Sequence, residues 1–454
     1  MVQASKWFNF LLFLGIFQLA ESAFGTPEHI HLAWTENEHE MMVSWSTFIP
    51  VDSFVHYRPI LCNDAAENYE YTEVLGNRTM FNEGVLMLRF IFLHNALIKG
   101  IRSECFYEYF IQSSIGKSKT YIFNGRTPES DDSFNDTSNP FKMIIIGDLG
   151  GGDIGSITAA LFQREVKFRD SAGLIHLGDL AYNLDTDNGL TGDNFLNLVQ
   201  DLAATIPYMV LPGNHENFDN QTHYKMRFKM LKNEYNDGLG QFYSFNLGPA
   251  HFTIINTEVH FFENQTISAN RTISAKVQRK WLENDLAVAN KNRKERPWLF
   301  VLAHRPLYCS YDYLANSKER NRTCGPEAKY LREEYEELFN ENAVDVFFTA
   351  HVHSYERITP IYHNVTVKSQ YDDTNTHINP RATVHIVDGI GGNRLRHNAK
   401  ATHTPQLWSV YRTDDYGYGK LTVYNKTHML FEQYSSLTWN TIDTVSIIKT
   451  RERF

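Results

Sequence analysis

Residues 143–182 read MIIIGDLGGGDIGSITAALFQREVKFRDSAGLIHLGDLAY. An apolar run, Met143–Ile146, stops at Gly147 and Asp148. A helix-like stretch, Ile157–Phe168, follows, and a second apolar run, Leu174–Leu177, stops at Gly178 and Asp179. Short apolar runs bounded by glycine are the pattern of strands buried on both faces, and a helical pattern between two of them predicts an α/β sheet. The texture continues through the apolar runs Tyr208–Leu211, Phe252–Ile255, Trp298–Leu302 and Val344–Phe348. Two more helix-like stretches are Lys276–Ala289 and Glu327–Asn340. Residues 141–356 are therefore expected to form a sheet covered by helices. Over residues 380–445, strand-like pieces return (ATVHIVDG, YGKLTVYN, HMLFEQYS) and are expected to pack on that unit.

Upstream, residues 26–128 change pattern every few positions. MMVSWST, FVHYR, CFYEYFIQ and KTYIFNGRT alternate apolar and polar side chains and are rich in β-branched and aromatic residues. This predicts an all-β sandwich. It holds no catalytic cluster and reads as a structural or docking module. The polar, acidic stretch Ser130–Pro140 (SDDSFNDTSNP) reads as a linker.

The chain has 454 residues, 43 Lys plus Arg against 53 Asp plus Glu, and a net charge of −10. Without a basic run, nucleic acid is excluded as a partner. The same sign discourages an anionic substrate unless something local reverses the field. With 19 His and 4 Cys, a metal site is expected to use nitrogen and oxygen rather than thiolate. At the N-terminus, Lys6 precedes the apolar run Trp7–Ala20, and small residues follow at Ser22, Ala23 and Gly25. The run is too short to span a bilayer comfortably, so residues 1–22 are expected to be a signal peptide. The mature protein is then secreted or lysosomal, with no membrane segment. In that setting Asn77, Asn135, Asn220, Asn264, Asn270, Asn321, Asn364 and Asn425, each in an Asn-x-Thr sequon, are candidate glycosylation sites. The four cysteines allow three pairings. Cys62 with Cys105 and Cys309 with Cys324 keeps each pair within one region.

The chemistry gathers directly after the apolar runs. GDLG (147–150), GDLAY (178–182), GNHE (213–216), VLAH (301–304) and AHVH (350–353) each place Asp, Asn, Tyr or His at the end of an expected strand. In open α/β sheets that edge is where sites assemble. Asp148, Asp179, Tyr182, Asn214, His304, His351 and His353 are too many ligands for one tetrahedral ion and suit two ions sharing a bridge. GDLGGGDIGS lacks the Gly-Lys-Ser/Thr end of a P-loop. DGIGGN (388–393) lacks the helix that a dinucleotide site needs. His176, alternating with apolar neighbours, reads as a buried support. For Glu356 and Arg357 a salt bridge is the commoner explanation than substrate contact.

These five fragments, in this order, resemble the purple acid phosphatases, a branch of the calcineurin-like metallophosphoesterases. GDLG together with GDLAY selects that branch. The resemblance covers nearly the whole mature chain and is to the long form, similar to the animal type 7 acid phosphatases and the large plant enzymes. It implies an N-terminal fibronectin III-like β sandwich followed by an α/β metallophosphoesterase sandwich of two mixed sheets flanked by helices. It also implies a dinuclear centre. Asp148, Tyr182 and His353 would bind Fe(III). Asn214, His304 and His351 would bind a divalent ion (Fe, Zn or Mn). Asp179 would bridge the two. His215 would be the catalytic contact to the phosphate or its leaving group. The implied reaction is acid hydrolysis of small phosphomonoesters by metal-hydroxide attack on phosphorus. Five metal charges set against three from Asp148, Asp179 and a Tyr182 phenolate leave the pocket positive.

Two departures stand out. The last motif begins with Ala350, where much of the family has Gly. The plant enzymes carry a histidine pair after the VxxH histidine. Here Tyr313 and Leu314 fall there, and no His occurs between His304 and His351. The leaving-group acid is then His215 first and Tyr313 second. The metal motifs do not separate a phosphomonoesterase from a phosphodiesterase or nucleotide pyrophosphatase. A non-catalytic glycoprotein on this scaffold would be expected to have lost a ligand, and all seven are present.

Overall fold

The structure is a computed structural model that describes residues 25–62, 69–84, 89–103, 105–125, 140–167, 171–235, 238–262, 265–268, 271–310, 325–368, 371–393 and 406–450. The expected signal peptide, most of the linker, Tyr313, Leu314 and Cys324 lie outside these residues.

The first unit is a sandwich of two four-stranded antiparallel sheets. One sheet runs β1 (Glu28–Trp34), β2 (Glu40–Thr47), β6 (Phe90–Lys99), β5 (Asn77–Asn82). The other runs β4 (Thr72–Leu75), β3 (Ser53–Leu61), β7 (Phe106–Ser113), β8 (Tyr121–Asn124). In β3 the buried positions alternate, Ser53, Val55 and Tyr57 facing in. That is the period-two pattern of a half-solvated antiparallel strand. Trp45 stacks on His94 at 5.2 Å and donates from its indole N–H to Ser53 Oγ, which satisfies its polar atom inside the core. Cys62 and Cys105 are joined by a disulfide. Cys309 is also disulfide-bonded.

The second unit packs two mixed sheets face to face. The first runs β11 (Tyr208–Val210), β10 (Gly173–His176), β9 (Phe141–Ile146), β24 (Gly417–Val423), β25 (His428–Ser435), β26 (Thr441–Ile448), β21 (Thr376–Ile378), β20 (Tyr371–Asp372). The second runs β12 (Tyr243–Leu247), β13 (Ala250–Ile254), β16 (Trp298–Leu302), β17 (Val346–Thr349), β22 (Thr383–Asp388), β18 (Tyr355–Tyr362), β19 (Val365–Thr366), with β23 (Ser409–Thr413) also on β18. A separate hairpin joins β14 (Gln265–Ser268) to β15 (Arg271–Ile273). β9, β10 and β11 are parallel, as are β13, β16, β17 and β22. Every residue of β16 and β17 is buried. Each large aliphatic or Phe side chain so withdrawn from water contributes roughly 1.5–3 kcal/mol. Phe348 meets Phe431 across the two sheets at 5.4 Å.

The helices α1 (Asp153–Lys167), α2 (Leu190–Ala203), α3 (Thr222–Arg227), α4 (Ala275–Lys291) and α5 (Gly325–Glu341) cover these sheets. α1 begins a turn before the apolar stretch that predicts it, with Asp153 in its first turn complementing the macrodipole. On α2, Phe195, Leu196, Val199, Leu202 and Ala203 form a buried stripe at helical spacing. The helix lies between the first sheet and β1 of the sandwich. β26 carries the alternating sequence TIDTVSII, with Asp443, Val445 and Ile447 buried.

The C-terminal segment is not a layer added on top of the catalytic unit. β24 hydrogen-bonds directly to β9, and β22 sits between β17 and β18. The reason is that β9 and β17 each need a partner on their second edge to satisfy their backbone groups.

The two units meet at a buried square of charge. Glu83 and Arg89 come from the sandwich, Asp193 and Arg227 from α2 and α3. Glu83 pairs with Arg227 and Arg89 with Asp193 across the junction, while Arg227 Nη2 is 2.9 Å from Asp193 Oδ1 within the catalytic unit. Tyr109 donates to the Ala204 carbonyl at 2.7 Å nearby. Among the described residues no helix is long and apolar enough to cross a membrane.

Candidate metal centre

The parallel strands deliver their chemistry at one edge. Asp148 follows β9, Asp179 and Tyr182 follow β10, Asn214 follows β11, His304 follows β16, and His351 and His353 follow β17. Four of these residues hold left-handed backbones: Asp148 (φ 57°), Asp179 (51°), Tyr182 (57°) and His351 (66°). Non-glycine residues adopt that region at a cost, and such residues cluster at functional sites. Two glycines let the turns pack this tightly. A Cβ on Gly178 would lie 2.6 Å from Gly213 N, and one on Gly213 would lie 2.3 Å from Asp179 Oδ1. Ala350 is tolerated because it faces another glycine: its Cβ lies where a side chain on Gly147 would begin.

The seven side chains fall into two groups sharing Asp179. In the first, the Tyr182 hydroxyl donates to Asp148 Oδ1 at 2.9 Å and lies 2.7 Å from His353 Nε2, which is 3.1 Å from the same Asp148 oxygen. In the second, His304 Nε2 is 3.1 Å from Asn214 Oδ1 and 3.2 Å from His351 Nδ1. Asp179 Oδ1 lies 3.4 Å from His304 Nε2. Asp179, His304 and His351, and likewise Asp148, Asp179 and His353, bring ligand atoms within 4.8 Å of one another. Separations of about 3 Å between oxygen and nitrogen donors are those of neighbouring ligands around an ion with bonds of roughly 2.0–2.2 Å. His304 Nδ1 donates to the Leu177 carbonyl at 2.8 Å, which leaves Nε2 free to face the cluster.

The electrostatics fit a cation. Burial opposes a charge on His304, yet Asp179, Asp148 and Glu258 outweigh it and hold its proton up to about 10. Burial also opposes ionisation of Asp179, but His304, with His215 and His351, keeps its carboxyl well below the usual range. Burial, Asp148 and Asp179 push the Tyr182 phenol up. Positive charge placed among these groups would reverse that last effect. The arrangement is consistent with a dinuclear metal centre.

His215 stands at the mouth of the site, 31 % exposed, its Nε2 4.0 Å from Asp179 Oδ2. Its Nδ1 is 2.8 Å from Asn183 Oδ1, and its ring centroid is 4.6 Å from that of Tyr182. His176 is buried, 2.7 Å from the Tyr208 hydroxyl, and pushed down to about 3 by burial. Arg357 makes a buried two-pronged ion pair with Asp443 at 2.6 and 2.8 Å, riveting β18 to β26. Glu356 accepts from Ser310 and Ser409. His397 and His403, two histidines of a polar stretch of the sequence, lie outside the described residues.

Several contributors were not assigned roles from sequence. Glu216, the last residue of GNHE, is buried and accepts the backbone N–H groups of Asp179, Leu180 and Gly213 at 2.8–2.9 Å, clamping two turns together. Burial and the charge of Asp179 push its carboxyl up to about 8. Arg305 forms a buried ion pair with Glu258 and approaches His351 Nε2 at 3.1 Å. The loop DGIGGN is a wall of the site: Gly391 N and Asn393 N donate to the carbonyls of Gly147 and Asp148, each at 3.0 Å. Its run of glycines was the available signal, since close backbone contact is what such a run permits.

Of the sequon asparagines, Asn77 and Asn364 are exposed and Asn220 is half-buried. Asn425 is only 8 % exposed, with Oδ1 accepting from Thr427 and His428 N–H groups. Asn135, Asn264, Asn270 and Asn321 lie outside the described residues.

A two-sheet α/β sandwich with an oxygen- and nitrogen-lined cluster at its strand ends defines a metallophosphoesterase. Residues 141–355 match the calcineurin-like phosphoesterase family, residues 27–125 the purple acid phosphatase N-terminal domain, and residues 382–444 the iron/zinc purple acid phosphatase-like protein C family. Acid phosphatase type 7 of Mus musculus is 34% identical over 90% of this chain and 88% of its own length. The Danio rerio protein of that name is 33% identical over 95% and 94%. The structure of purple acid phosphatase PPD1 from yellow lupin superposes with a TM-score of 0.76 at 22% identity, covering 94% of this chain and 75% of that one. The chain belongs to the purple acid phosphatase family, and it is an acid phosphatase. The family implies small phosphorylated substrates.

Proposed function

We propose that this chain is an exported phosphomonoesterase working at acidic pH through a dinuclear centre of Fe(III) and a divalent ion. The observation that supports this most is the pair of ligand groups joined through Asp179. Asp148, Tyr182 and His353 would hold the ferric ion, and Asn214, His304 and His351 the divalent one. Two ions so held supply Lewis acidity toward the phosphoryl oxygens and toward the attacking water. The protein's residues do the rest. Asp179 fixes the spacing of the two halves, Glu216 fixes the backbone of Asp179, and Asn183 orients His215. His215 then contacts the phosphate or hands a proton to the departing oxygen. The net charge of −10 need not govern this pocket, where two bound ions would leave a local excess of positive charge. The proposed signal peptide and the exposed sequons Asn77 and Asn364 suit export.

His215→Asn tests both the reaction and the role. Positioned general acids contribute about 10²–10⁴-fold. Turnover of an alkyl phosphate, whose alkoxide needs a proton, should fall by about 10²-fold or more. Turnover of p-nitrophenyl phosphate, a good leaving group, should fall far less. Equal losses on the two substrates would assign His215 to binding alone. Faster hydrolysis of bis(p-nitrophenyl) phosphate than of the monoester by the unaltered protein would reassign the enzyme to diesters.

A further inference from the structure

Trp439 occupies the turn between β25 and β26 with φ +65° and is 59 % exposed. Glycine or asparagine would hold that backbone at less cost, and so exposed a ring recovers little of the cost through burial. Strain that the fold does not need is a pointer to use. Beside the ring lies a cleft of about 230 Å³ whose walls include Arg164, Glu165, Tyr418, Tyr434 and Ser435. The rings of Tyr418 and Tyr434 stack at 5.4 Å and 13°. Lys420 Nζ sits 4.5 Å from the Tyr434 ring centre and 3.6 Å from Glu165 Oε2. The Arg164 guanidinium lies 5.1 Å from the Trp439 ring centre. Thr158 Oγ1 and Ser436 Oγ, 2.9 Å apart, pin the turn to α1. Leu161, at the cleft, is eight residues beyond Asp153 along α1, about 12 Å of helix rise from the end nearest the metal cluster, so the cleft is a separate place.

We infer that this cleft is a subsite for one hexopyranose ring. The chemistry selects that class. A pyranose presents an apolar C–H face, which aromatic rings cover, and a rim of hydroxyls that both donate and accept. Of the lining residues, Glu165 offers acceptors and Arg164 offers donors. A quaternary ammonium is disfavoured because cationic side chains already lie near the Tyr434 and Trp439 rings. The volume lies below the range of about 300–1,000 Å³ typical of drug-sized ligands, which suits a single ring. The ring can be a free sugar or the terminal residue of a glycan, since both present the same face.

Saturation-transfer NMR on the full-length protein tests this with methyl α-D-mannopyranoside, methyl β-D-glucopyranoside, N-acetylglucosamine and a glycopeptide ending in the same sugars. The unaltered protein should transfer saturation to ring C–H protons of at least one free sugar or glycopeptide terminus. A signal from the glycopeptide alone would assign the subsite to glycan ends. Trp439→Asn should weaken that transfer at least tenfold while leaving p-nitrophenyl phosphate turnover unchanged and the melting temperature equal or higher. Glycans carried by the protein itself are common to both forms and cancel in the comparison. Absence of transfer from every sugar, equal transfer in Trp439→Asn, or binding only of adenosine or inorganic phosphate would overturn the inference.

Discussion

Asp179→Asn should lower turnover of a small aryl phosphate by about 10³-fold or more while the protein stays folded. Loss of a single preorganised group at a transition state already costs about 10²–10³-fold. Asp179 does more than one such group does. It lies in both ligand triads, so its loss weakens the hold on two ions at once. Asparagine keeps the shape and an oxygen but surrenders the charge that faces His304 and that would face both ions. The backbone should remain in place, because Glu216 holds Asp179 N and Leu180 N independently of the Asp179 side chain. The checks are kcat on p-nitrophenyl phosphate, metal content and the thermal transition. Turnover within a few-fold of the unaltered protein would refute a bridging role.

Arg227→Ala should cost about 3–5 kcal/mol of stability, the range for breaking a buried ion pair by removing one partner. Arg227 is 2 % exposed and faces both Glu83 and Asp193. Its loss leaves two carboxylates with Arg89 alone and loosens the sandwich from the catalytic unit. The deficit should depend on pH, and its sign follows from Glu83. Burial first, then the charge of Asp193, already lift that carboxyl to about 7 against the pull of both arginines. A raised carboxyl contributes stability that is fully present below the unfolded value of about 4.3 and lost as pH rises through the folded one. Without Arg227 the folded value rises further. The cost should then be larger at pH 8 than at pH 5. Burial holds the neighbours His29 and His223 down to about 3 and about 4, so neither masks the effect. Denaturant titrations at the two pH values measure it.

The sequence made the catalytic fold legible where strands are buried on both faces. Runs such as MIII and WLFVL have one reading, and the Gly-Asp, Gly-Asn and His motifs behind them mark the strand ends. The seven residues proposed as ligands are brought together at one edge, because each motif follows a parallel strand of one sheet or the other. Other features depend on partners distant in the chain and leave little local trace. Glu216 is one letter in GNHE until three backbone N–H groups from two turns converge on it. The cross-domain square needs Glu83, Arg89, Asp193 and Arg227 from four segments, none of which contains a motif. The placement of β24 beside β9 reflects pairing between residues nearly 280 positions apart. The helix α2 is a different case, since its apolar spacing is plain in the sequence once its neighbours are known.

The central claim is that these side chains hold two unlike ions, one of them iron on Tyr182. Metal analysis combined with the visible spectrum tests it most directly, on purified protein and on Tyr182→Phe. The account predicts about two metal ions per chain, iron among them, and a tyrosinate absorption band that is absent from Tyr182→Phe. A colourless, metal-free protein without phosphatase activity, or a band that persists in Tyr182→Phe, would contradict it.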